Sequence, residues 1–594
     1  RHRTNGYSGK IESIMARNQE PVTLMQKVAA GLQAWRFGCV LGVFLMVTAV
    51  LGWRLVDLHV VDQEFLRQQG DVRTIRVDSI DAHRGMITDR YGEPLAVSTP
   101  VETLWANPSE MDPDDPRLTP AASLLGINEA RLRQRLRDYA SREFIYVRRK
   151  IQPSVAREVL GLEIPGLYSR QEYKRYYPTG EVTAHLVGFT NIDEQGQEGI
   201  ELSYNEWLSG VPGRKRVLRD NRGRLIRDLS LIRDAKPGKD LTLSLDLRLQ
   251  YLAYRELKAV VQAHDARGGT LVMLDVATGE VLAMVNQQSY NPNDRASLSP
   301  EKLRNKALTD LFEPGSTMKP LAMAAALESG EYQVDSMIDT SPGYRRFGRF
   351  TIRDHRNYGQ LSMTGIISHS SNVGISMIAN DIGGDVIRDF YFHLGLGQPT
   401  GIGFPGEAVG VLPMTSDWRP VEEATLSYGY GMSVNALQLA QAYMVVANGG
   451  TRYPVTLNRR DEPAVGQRVM SETVAAQIRG MLQEVVENGT GKRANPALYT
   501  AGGKTGTVHL VGEHGYEDSQ YKAIFAGMAP MDNPRIVTVV AVDAPQGGDY
   551  YGGEVAAPVF ARVMSDALRL LNVRPELTAV EAATQTPGQS GERG

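Results

Sequence analysis

The sequence predicts a multidomain α+β protein with a single N-terminal transmembrane helix, an elongated β-rich pedestal domain and a C-terminal α/β domain. Three observations lead to this fold class. An uncharged apolar segment lies near the N-terminus, short apolar runs separated by turn clusters follow it, and from residue 240 long helical patterns alternate with strands. At 594 residues, with 42% hydrophobic and 22% charged residues, the chain is long enough for three or four globular units.

The apolar segment runs from Phe37 to Trp53. It is at the short end for a membrane span, but it is too continuous for a typical signal peptide, and no small-residue cleavage site follows it. A buried core helix is the weaker alternative because the segment has no polar face. The positive-inside rule predicts a cytoplasmic N-terminus (1–36), an uncleaved membrane anchor (37–56) and a remainder on the outer side of the membrane. The charges behind this orientation are Arg1, Arg3, Lys10, Arg17, Lys27 and Arg36 against Glu12 and Glu20.

Residues 57–239 form the predicted pedestal. A helical stalk is expected over Leu55 to Gln69, and a hairpin turn is expected at Arg90-Tyr91-Gly92-Glu93. Prolines then interrupt any helical period until a helix at 129–140. A basic hairpin follows, and the sequence leaves open whether it is simply solvated or binds a partner. Its basic residues are Arg214, Lys215, Arg216 and Arg219, ahead of the turn Asn221-Arg222-Gly223.

Residues 240–571 form the predicted C-terminal domain. A polar tail (572–594) follows, which is too poor in apolar residues to pack and is expected to be disordered. Apolar alternation and helical periodicity predict the elements of the domain. They are a strand at 241–245, a helix at 247–263, a strand pair at 269–275 and 280–286, strands at 522–528 and 535–543, and a closing helix at 557–571.

Composition narrows the range of functions. The net charge of −3 gives no indication of nucleic-acid binding. The single cysteine, Cys39, lies in the apolar segment, so an intrachain disulfide is excluded. The ten histidines show no metal-ligand spacing such as H-E-x-x-H, and we expect neither a metal nor an organic cofactor.

Three short motifs carry the chemistry. They are Ser316-Thr317-Met318-Lys319, Ser370-Ser371-Asn372 and Lys504-Thr505-Gly506-Thr507. The first opens an alanine-rich run of strong helix formers that ends near Gly330, which predicts a serine hydroxyl at a helix N-terminus. Lys319 lies three residues further along, on the same helical face, so its amine can reach that hydroxyl. Together the motifs predict a serine acyl-transfer site with lysine bases and no histidine.

The residue types suit that chemistry. A serine hydroxyl becomes a good nucleophile when a base takes its proton, and a lysine acts as that base when burial or another cation lowers its pKa. Lys504 is the natural second cation and would hold an anionic group of the substrate. Ser370 can pass a proton to a leaving amine, and Asn372 can orient Lys319 or the substrate amide. A backbone N–H of the Lys504 strand and that of Ser316 would form an oxyanion hole.

Other segments match the same short patterns. Ser299-Pro300-Glu301-Lys302 also reads S-x-x-K, but Ser followed by Pro and Glu is typical of a helix N-cap. Ser203-Tyr204-Asn205 and Ser433-Val434-Asn435 match S-x-N, and a turn or cap explains both. A solvated surface lysine is the alternative interpretation of Lys504.

The motifs and their order resemble those of class B penicillin-binding proteins, and among them the division-specific peptidoglycan transpeptidases of Gram-negative bacteria. The resemblance extends from the anchor to about residue 565, and Asn372, where elongation-type relatives commonly have aspartate, favours the septal group. Further matching segments are Arg84-Gly85-Met86-Ile87-Thr88-Asp89-Arg90, Tyr176-Tyr177-Pro178, Ala184-His185-Leu186-Val187-Gly188, Gly199-Ile200-Glu201-Leu202, Gly429-Tyr430-Gly431-Met432 and Gln438-Leu439-Ala440.

The resemblance implies a penicillin-binding-protein/β-lactamase-like transpeptidase domain. Ser316 would be acylated, Lys319 would be its base, and Ser370 and Asn372 would form the second motif. Lys504 to Thr507, including Thr505 and Gly506, would bind the substrate carboxylate and the oxyanion. The implied ligands are peptidoglycan stem peptides, the products of lipid-linked precursors and β-lactams, and the implied partners are a septal glycosyltransferase and small bitopic division proteins.

Two other classes of function remain open from the sequence. One is a hydrolase, either a D,D-carboxypeptidase or a β-lactamase, in which water replaces the acceptor amine. The anchor and the large pedestal argue against it, and no deacylating base can be identified. The other is a non-catalytic penicillin sensor or scaffold, which would need a signalling domain larger than 36 polar N-terminal residues can form.

Overall fold

A computed structural model describes residues 24–57, 75–219, 225–294, 296, 298–512 and 515–577. The chain divides into two compact units. The first contains residues 1–78 and 215–232, and the second contains residues 79–214 and 233–594.

The described part of the first unit includes a long apolar helix. It runs over Leu24–Val56, and its part Trp35–Val56 is long and apolar enough to cross a membrane. The helix starts before the predicted anchor because residues 24–36 are rich in good helix formers such as Leu, Met, Gln and Ala. Most of the predicted stalk lies outside the described residues.

The predicted basic hairpin is present as two strands of a three-stranded sheet. The sheet order is Ile75–Ile80, Gly213–Arg219 and Leu225–Arg233. The turn at 221–223 lies outside the described residues. An ion pair of 3.1 Å joins Lys215 to Asp228 across the two strands.

In the second unit, residues 79–243 build a five-stranded sheet with helices. The long strand Pro94–Ala106 is central and pairs antiparallel with three others, and Leu241–Thr242 joins Ile87–Thr88 in parallel. The other partners of the central strand are Ile145–Ile151 and Leu167–Tyr176. The helices of this region are Leu118–Leu125, Glu129–Asp138, Pro153–Leu160, Ala184–Val187, Gly199–Ser203 and Asn205–Leu208, with a 3₁₀ turn at Gly180–Val182.

A buried ionic triad stabilises this region. Glu201 is fully buried and accepts a hydrogen bond of 2.6 Å from Nε of Arg84 and another of 2.6 Å from Nε of Arg175. The Arg84 guanidinium also donates to the carbonyl oxygens of Glu194 and Glu201. A buried carboxylate is tolerated when paired charges and hydrogen bonds compensate its desolvation, and this network supplies both.

The predicted C-terminal domain centres on an antiparallel five-stranded sheet. Its strands, in sheet order, are Val281–Gln287, Gly268–Asp275, Ile536–Asp543, Gly515–Ala529 and Gly502–Gly512. All eight residues of Ile536–Asp543 are buried, since helices cover both faces of the sheet. The helices Leu247–Ala263 and Ala557–Leu570 contribute to the core on one face.

The other face packs against a second helical layer. Its principal helices are Lys319–Ser329, Ala436–Ala447 and Glu472–Glu487, and every residue of Ala436–Ala447 is buried. Shorter helices accompany this layer: Pro300–Leu303, Lys306–Thr309, Met363–Ser368, Asn372–Ile382, Gly384–His393 and Pro420–Ser427, with a 3₁₀ turn at Gly315–Met318. The short helix Gly552–Val555 and the 3₁₀ turn Lys492–Ala494 instead contribute Val555 and Ala494 to the core on the first face. Three small hairpin-like pairs join Met337–Asp339 to Gln360–Ser362, Tyr344–Phe347 to Phe350–Arg353, and Thr451–Arg452 to Gln467–Arg468.

The predicted helix at 247–263 is confirmed, and the predicted strands of the sheet are all present. The strand predicted at 241–245 is shorter, because Asp246 already caps the next helix by accepting from the N–H of Arg248. The predicted disordered tail also differs at its start. Glu576 accepts hydrogen bonds of 2.6 Å from the N–H and the hydroxyl of Thr500, so the chain packs as far as residue 577. Residues 578–594 lie outside the described range.

Candidate active site

Ser316 lies on the 3₁₀ turn Gly315–Met318, immediately before the helix Lys319–Ser329. The turn is anchored from three sides. The Thr317 hydroxyl donates to the carbonyl oxygen of Pro314 at 2.7 Å, the Tyr443 hydroxyl donates to that of Thr317 at 2.7 Å, and the N–H of Gly315 donates to Gly429 at 3.2 Å. Gly315 has a φ of 57°, a conformation that suits glycine. The helix ends at Gly330, as predicted.

The Lys319 side chain is fully buried and lies against the second motif. Its Nζ donates to the carbonyl oxygen of Ser370 at 2.5 Å, to the Ser370 hydroxyl at 3.0 Å and to Oδ1 of Asn372 at 2.7 Å. None of the hydrogen bonds between described residues joins this amine to Ser316 Oγ. Burial first, and then the charge of Lys504, hold the pKa of Lys319 well below its usual value, while the Asp354 carboxylate opposes this. The lowered pKa favours loss of a proton from this amine, a loss that a lysine must undergo before it can act as a general base.

The second motif occupies the junction between the helices Met363–Ser368 and Asn372–Ile382. Ser370 has a φ of 56°, so a non-glycine residue is held in the left-handed region where its hydroxyl meets Lys319. Ser371 caps the following helix by accepting from the N–H of Gly374 at 2.9 Å. The Asn372 amide donates to the carbonyl oxygen of Arg353 at 3.1 Å, which orients its oxygen towards Lys319.

Lys504 lies on the strand Gly502–Gly512, the last in the sheet order of the described strands. It is fully buried, which argues against the interpretation as a solvated surface lysine. Its Nζ donates to the carbonyl oxygen of Thr505 at 3.1 Å and to its hydroxyl at 3.3 Å. Burial lowers the pKa of Lys504 to about 7 from its usual 10.5. The outer edge of such a strand can pair with an extended peptide.

Small residues let this strand approach the nucleophile turn. A Cβ on Gly506 would lie 3.0 Å from Cγ2 of Thr317 and 3.2 Å from the carbonyl oxygen of Pro314. The Thr507 hydroxyl accepts from the N–H of Gly552 at 3.0 Å. Gly552 is itself tightly enclosed, since a Cβ there would lie 2.4 Å from the carbonyl oxygen of Gly506.

The three motifs meet at one cleft of about 1130 Å³. Ser316, Ser370, Asn372, Thr505 and Thr507 all line it, while the two lysines lie buried behind its wall. The cleft also has an aromatic rim of Tyr428, Tyr430, Tyr516, Tyr521, Tyr550 and Tyr551. A second cavity, of about 1000 Å³, lies beside the helix Leu247–Ala263 and is lined by none of the motif residues.

The look-alike motifs have structural roles. Ser299 occupies the N-cap position of the helix Pro300–Leu303, where its backbone carbonyl oxygen, and not its side chain, accepts from the N–H of Lys302. Asn435 caps the helix Ala436–Ala447 by accepting from the N–H of Gln438. Asn205 accepts from the Arg84 guanidinium at 2.9 Å, within the ionic network of the pedestal region.

Sequence reasoning missed two carboxylates beside the cleft. Asp354 accepts from the Ser371 hydroxyl at 2.6 Å and from the N–H of Val373 at 3.0 Å, so it holds the second motif in place. Glu313 accepts from the N–H of Gly431 at 3.1 Å and from the Tyr516 hydroxyl at 2.9 Å, joining two segments of the rim. No motif or spacing in the sequence singles out Asp354. Glu313 could have been identified, because it lies just before the motif that contains Ser316.

Comparison with known proteins places this arrangement in a family. The penicillin binding protein transpeptidase domain matches residues 269–565, and the penicillin-binding protein dimerisation domain matches residues 79–243. The peptidoglycan D,D-transpeptidase FtsI of Escherichia coli is 41% identical over 567 residues, which cover 94% of this chain and 96% of that protein. The probable peptidoglycan D,D-transpeptidase PbpC of Pseudomonas aeruginosa is 42% identical, covering 91% of this chain and 96% of that protein.

Comparison with solved structures also identifies penicillin-binding proteins. Penicillin-binding protein 3 of Mycobacterium tuberculosis, complexed with aztreonam, is 27% identical with a TM-score of 0.66, covering 84% of this chain and 98% of that one. The transpeptidase domain of Burkholderia pseudomallei penicillin-binding protein 3 is 41% identical with a TM-score of 0.53, covering 57% of this chain and 98% of that one. With both domains matched and similarity over nearly its whole length, this chain belongs to the class B penicillin-binding proteins.

Proposed function

We propose that this protein is a septal peptidoglycan D,D-transpeptidase that crosslinks stem peptides through an acyl-serine intermediate and is a target of β-lactams. One observation carries the proposal. A buried Lys319 amine, with its pKa well below the usual value, contacts Ser370 and Asn372 behind a cleft that Ser316 lines. The relatives named FtsI support the septal role.

In the proposed first half-reaction, Ser316 Oγ attacks the carbonyl carbon of the penultimate D-Ala, and its proton passes to neutral Lys319. The C–N bond to the terminal D-Ala then breaks. The leaving nitrogen takes a proton delivered through Ser370, whose hydroxyl lies 3.0 Å from Lys319 Nζ. An ester between Ser316 and the peptide remains.

The second half-reaction uses the same groups in the opposite direction. An amine of a neighbouring stem attacks the ester, its proton leaves through Ser370 and Lys319, and Ser316 is released with the new amide bond formed. Lys504, Thr505, Gly506 and Thr507 are assigned to the terminal carboxylate and, with backbone N–H groups, to the oxyanion. A β-lactam would acylate Ser316 in the same way.

The proposed setting is the inner membrane. We assign residues 1–36 to the cytoplasm, 37–56 to a single-pass anchor, 57–239 to the pedestal and 240–571 to the periplasmic transpeptidase domain. The basic residues before the apolar helix support this orientation. A septal glycosyltransferase and small bitopic division proteins are the proposed partners, since the chain uses strands of already polymerised glycan.

Covalent labelling with a fluorescent penicillin tests the proposal. The wild-type chain is compared with Ser316→Ala and with Ser299→Ala, which removes the serine of the look-alike motif. We expect labelling to be lost in Ser316→Ala and kept in Ser299→Ala. Labelling that survives in a folded Ser316→Ala protein would exclude the acyl-serine assignment.

A further inference from the structure

The segment 344–357 is unusually basic. It contains five arginines and a histidine against one carboxylate, that of Asp354. Its first part forms an arginine hairpin, defined here as the paired strands Tyr344–Phe347 and Phe350–Arg353 with the turn between them. The single carboxylate is already engaged by the Ser371 hydroxyl and the N–H of Val373, so it does not neutralise the hairpin through contact with a guanidinium.

The arginine side chains face aromatic rings instead of acids. Within the part of the chain that the structure describes, none of the five guanidinium groups takes part in an ion pair. Four lie over rings, at 5.0 to 5.6 Å from the ring centroid, and all five are exposed or half-buried. These pairs are Arg345 with Phe347 at 5.6 Å, Arg349 with Phe350 at 5.0 Å, Arg353 with Tyr344 at 5.3 Å and Arg356 with Tyr358 at 5.1 Å. A ring face orients a guanidinium but leaves its N–H donors open to a carboxylate.

The hairpin forms part of the cleft that contains Ser316. Thr351, Ile352 and Arg353 line the cleft, and the carbonyl oxygen of Arg353 accepts from the Asn372 amide. The register pairs Arg346 with Thr351 and Tyr344 with Arg353. Paired residues of antiparallel strands point to the same face, so Arg346 and Arg353 share the face of Thr351. Arg345 pairs with Ile352 on the opposite face, from which Ile352 reaches the cleft, whereas the Arg345 guanidinium lies over Phe347 and does not line the cleft.

The rest of the cleft strengthens this positive field. Lys492 and Arg493 are exposed and line the cleft near Thr490, and His355 lines it next to the hairpin. Glu554 is the one carboxylate among the described lining residues. A cleft lined by charges of one sign raises the local concentration of ligands of the other sign.

Resting on the function proposed above, we propose that the arginine hairpin binds carboxylates that a donor stem peptide carries in addition to that of its terminal D-Ala. The strand of Lys504, which contributes Thr505 and Thr507 to the cleft wall, takes the terminal carboxylate, and the hairpin takes a more distant one. Arginine suits this role because its planar guanidinium can bind a carboxylate through two parallel hydrogen bonds. Continuity with the cleft favours the peptide over a membrane surface as the occupant.

The test uses the full-length chain in detergent micelles and two soluble pentapeptide donors that both end in D-Ala-D-Ala. One donor keeps its other carboxylates free, and in the second they are amidated. Release of D-Ala gives kcat/KM for each donor with the wild type, with Arg346→Glu/Arg353→Glu and with Arg345→Glu. The last variant reverses one charge on the opposite face of the same hairpin. Fluorescent-penicillin labelling reports the folding of each protein.

We expect the wild type to prefer the free-carboxylate donor by about tenfold, a factor that corresponds to about 1.4 kcal/mol. The preference should be lost in Arg346→Glu/Arg353→Glu and kept in Arg345→Glu, and it should weaken between about 50 and 200 mM salt because the charges are exposed. Equal use of both donors by the wild type would overturn the proposal, as would an equal loss with both donors in the double variant.

Further measurements distinguish this proposal from the alternative explanations. Binding of the two dye-labelled donors to Ser316→Ala, measured by fluorescence anisotropy, gives the same comparison without turnover. Release of D-Ala from at least one of the two donors tests the proposed enzymatic function, so its absence with both donors would refute that function, while the anisotropy comparison would still test the hairpin. Stronger sedimentation with phosphatidylglycerol than with phosphatidylcholine vesicles, with this excess lost in the double variant while donor preference persists, would assign the hairpin to lipid and refute the inference.

Discussion

Replacing Lys504 with methionine should stabilise the fold while it abolishes activity. Burial lowers the pKa of Lys504 to about 7, whereas the unfolded chain retains the usual 10.5. The difference between these two pKa values corresponds to a destabilisation of about 5 kcal/mol, at about 1.4 kcal/mol for each pKa unit. Below pH 7 the ammonium is present in both states, and the folded state bears this full cost of burying it.

The sign of the pH dependence follows from the two pKa values. Between pH 7 and 10.5 the unfolded state binds more protons than the folded state, so stability rises with pH, and above 10.5 the cost is gone. Methionine removes the charge but also the two hydrogen bonds to Thr505. The Thr505 carbonyl and hydroxyl oxygens then lack a donor, which costs about 1–2 kcal/mol. The free energy of unfolding of Lys504→Met at pH 7 should therefore exceed that of the wild type by about 3 kcal/mol.

The measurement is guanidinium unfolding of the full-length chain, followed by circular dichroism at several pH values between 6 and 10. Lys492→Met, which removes an exposed lysine at the same cleft, is the matched control and should show no such gain. The gain in Lys504→Met should shrink as pH rises above 7. A variant that is less stable than the wild type at pH 7, or a difference that does not change with pH, would refute the reasoning.

Three further predictions concern the surroundings of the site. Asp354→Asn removes the carboxylate that favours the charged form of Lys319, so the pKa of Lys319 should fall further. The acidic limb of the penicillin acylation rate, measured against pH, should therefore move to lower pH. A shift of this limb to higher pH would contradict the effect assigned to Asp354. Glu201→Leu leaves two buried arginines without their counter-ion and should cost about 3–5 kcal/mol in denaturant unfolding, and a cost below about 1 kcal/mol would show that the triad is dispensable. Gly552→Ala places a Cβ 2.3 Å from a backbone oxygen of the central sheet and should slow acylation at least tenfold. The control Gly480→Ala lies in open space on an exposed helix face, so it should keep the acylation rate and raise the free energy of unfolding by about 1 kcal/mol. Equal acylation rates in the two variants would argue against the close approach at Gly552.

The sequence predicted what depends on local pattern. The helix Leu247–Ala263 was predictable to the residue because its apolar period and the Asp246 cap are both contained in a short window. The placement of Ser316 and Lys319 followed from a helix start. The contact of Lys319 with Ser370 and Asn372 was expected because the three motifs resemble a known set, and the sequence spacing alone did not predict it.

Other features depend on contacts between distant segments. Asp354 reaches Ser371 from a neighbouring hairpin, and Glu201 meets Arg84 across 117 residues, which no spacing rule encodes. The length of the apolar helix before residue 37 and the packing of Glu576 were also missed, since both depend on weak local preferences decided by context. The basic segment 344–357 was visible as a count of charges, but its position at the cleft was not.

The burial of the two lysines explains why the site needs so large a framework. Lys319 and Lys504 are both fully buried, and burial is the first cause of the lowered pKa of each. The same desolvation that prepares an amine to accept a proton therefore destabilises the folded state whenever that amine is charged. Ser370 adds backbone strain at a φ of 56°. These costs are offset by apolar cores on both faces of the sheet, which hold the Lys504 strand beside the nucleophile turn. The two cores therefore maintain the burial that lowers the pKa of both amines.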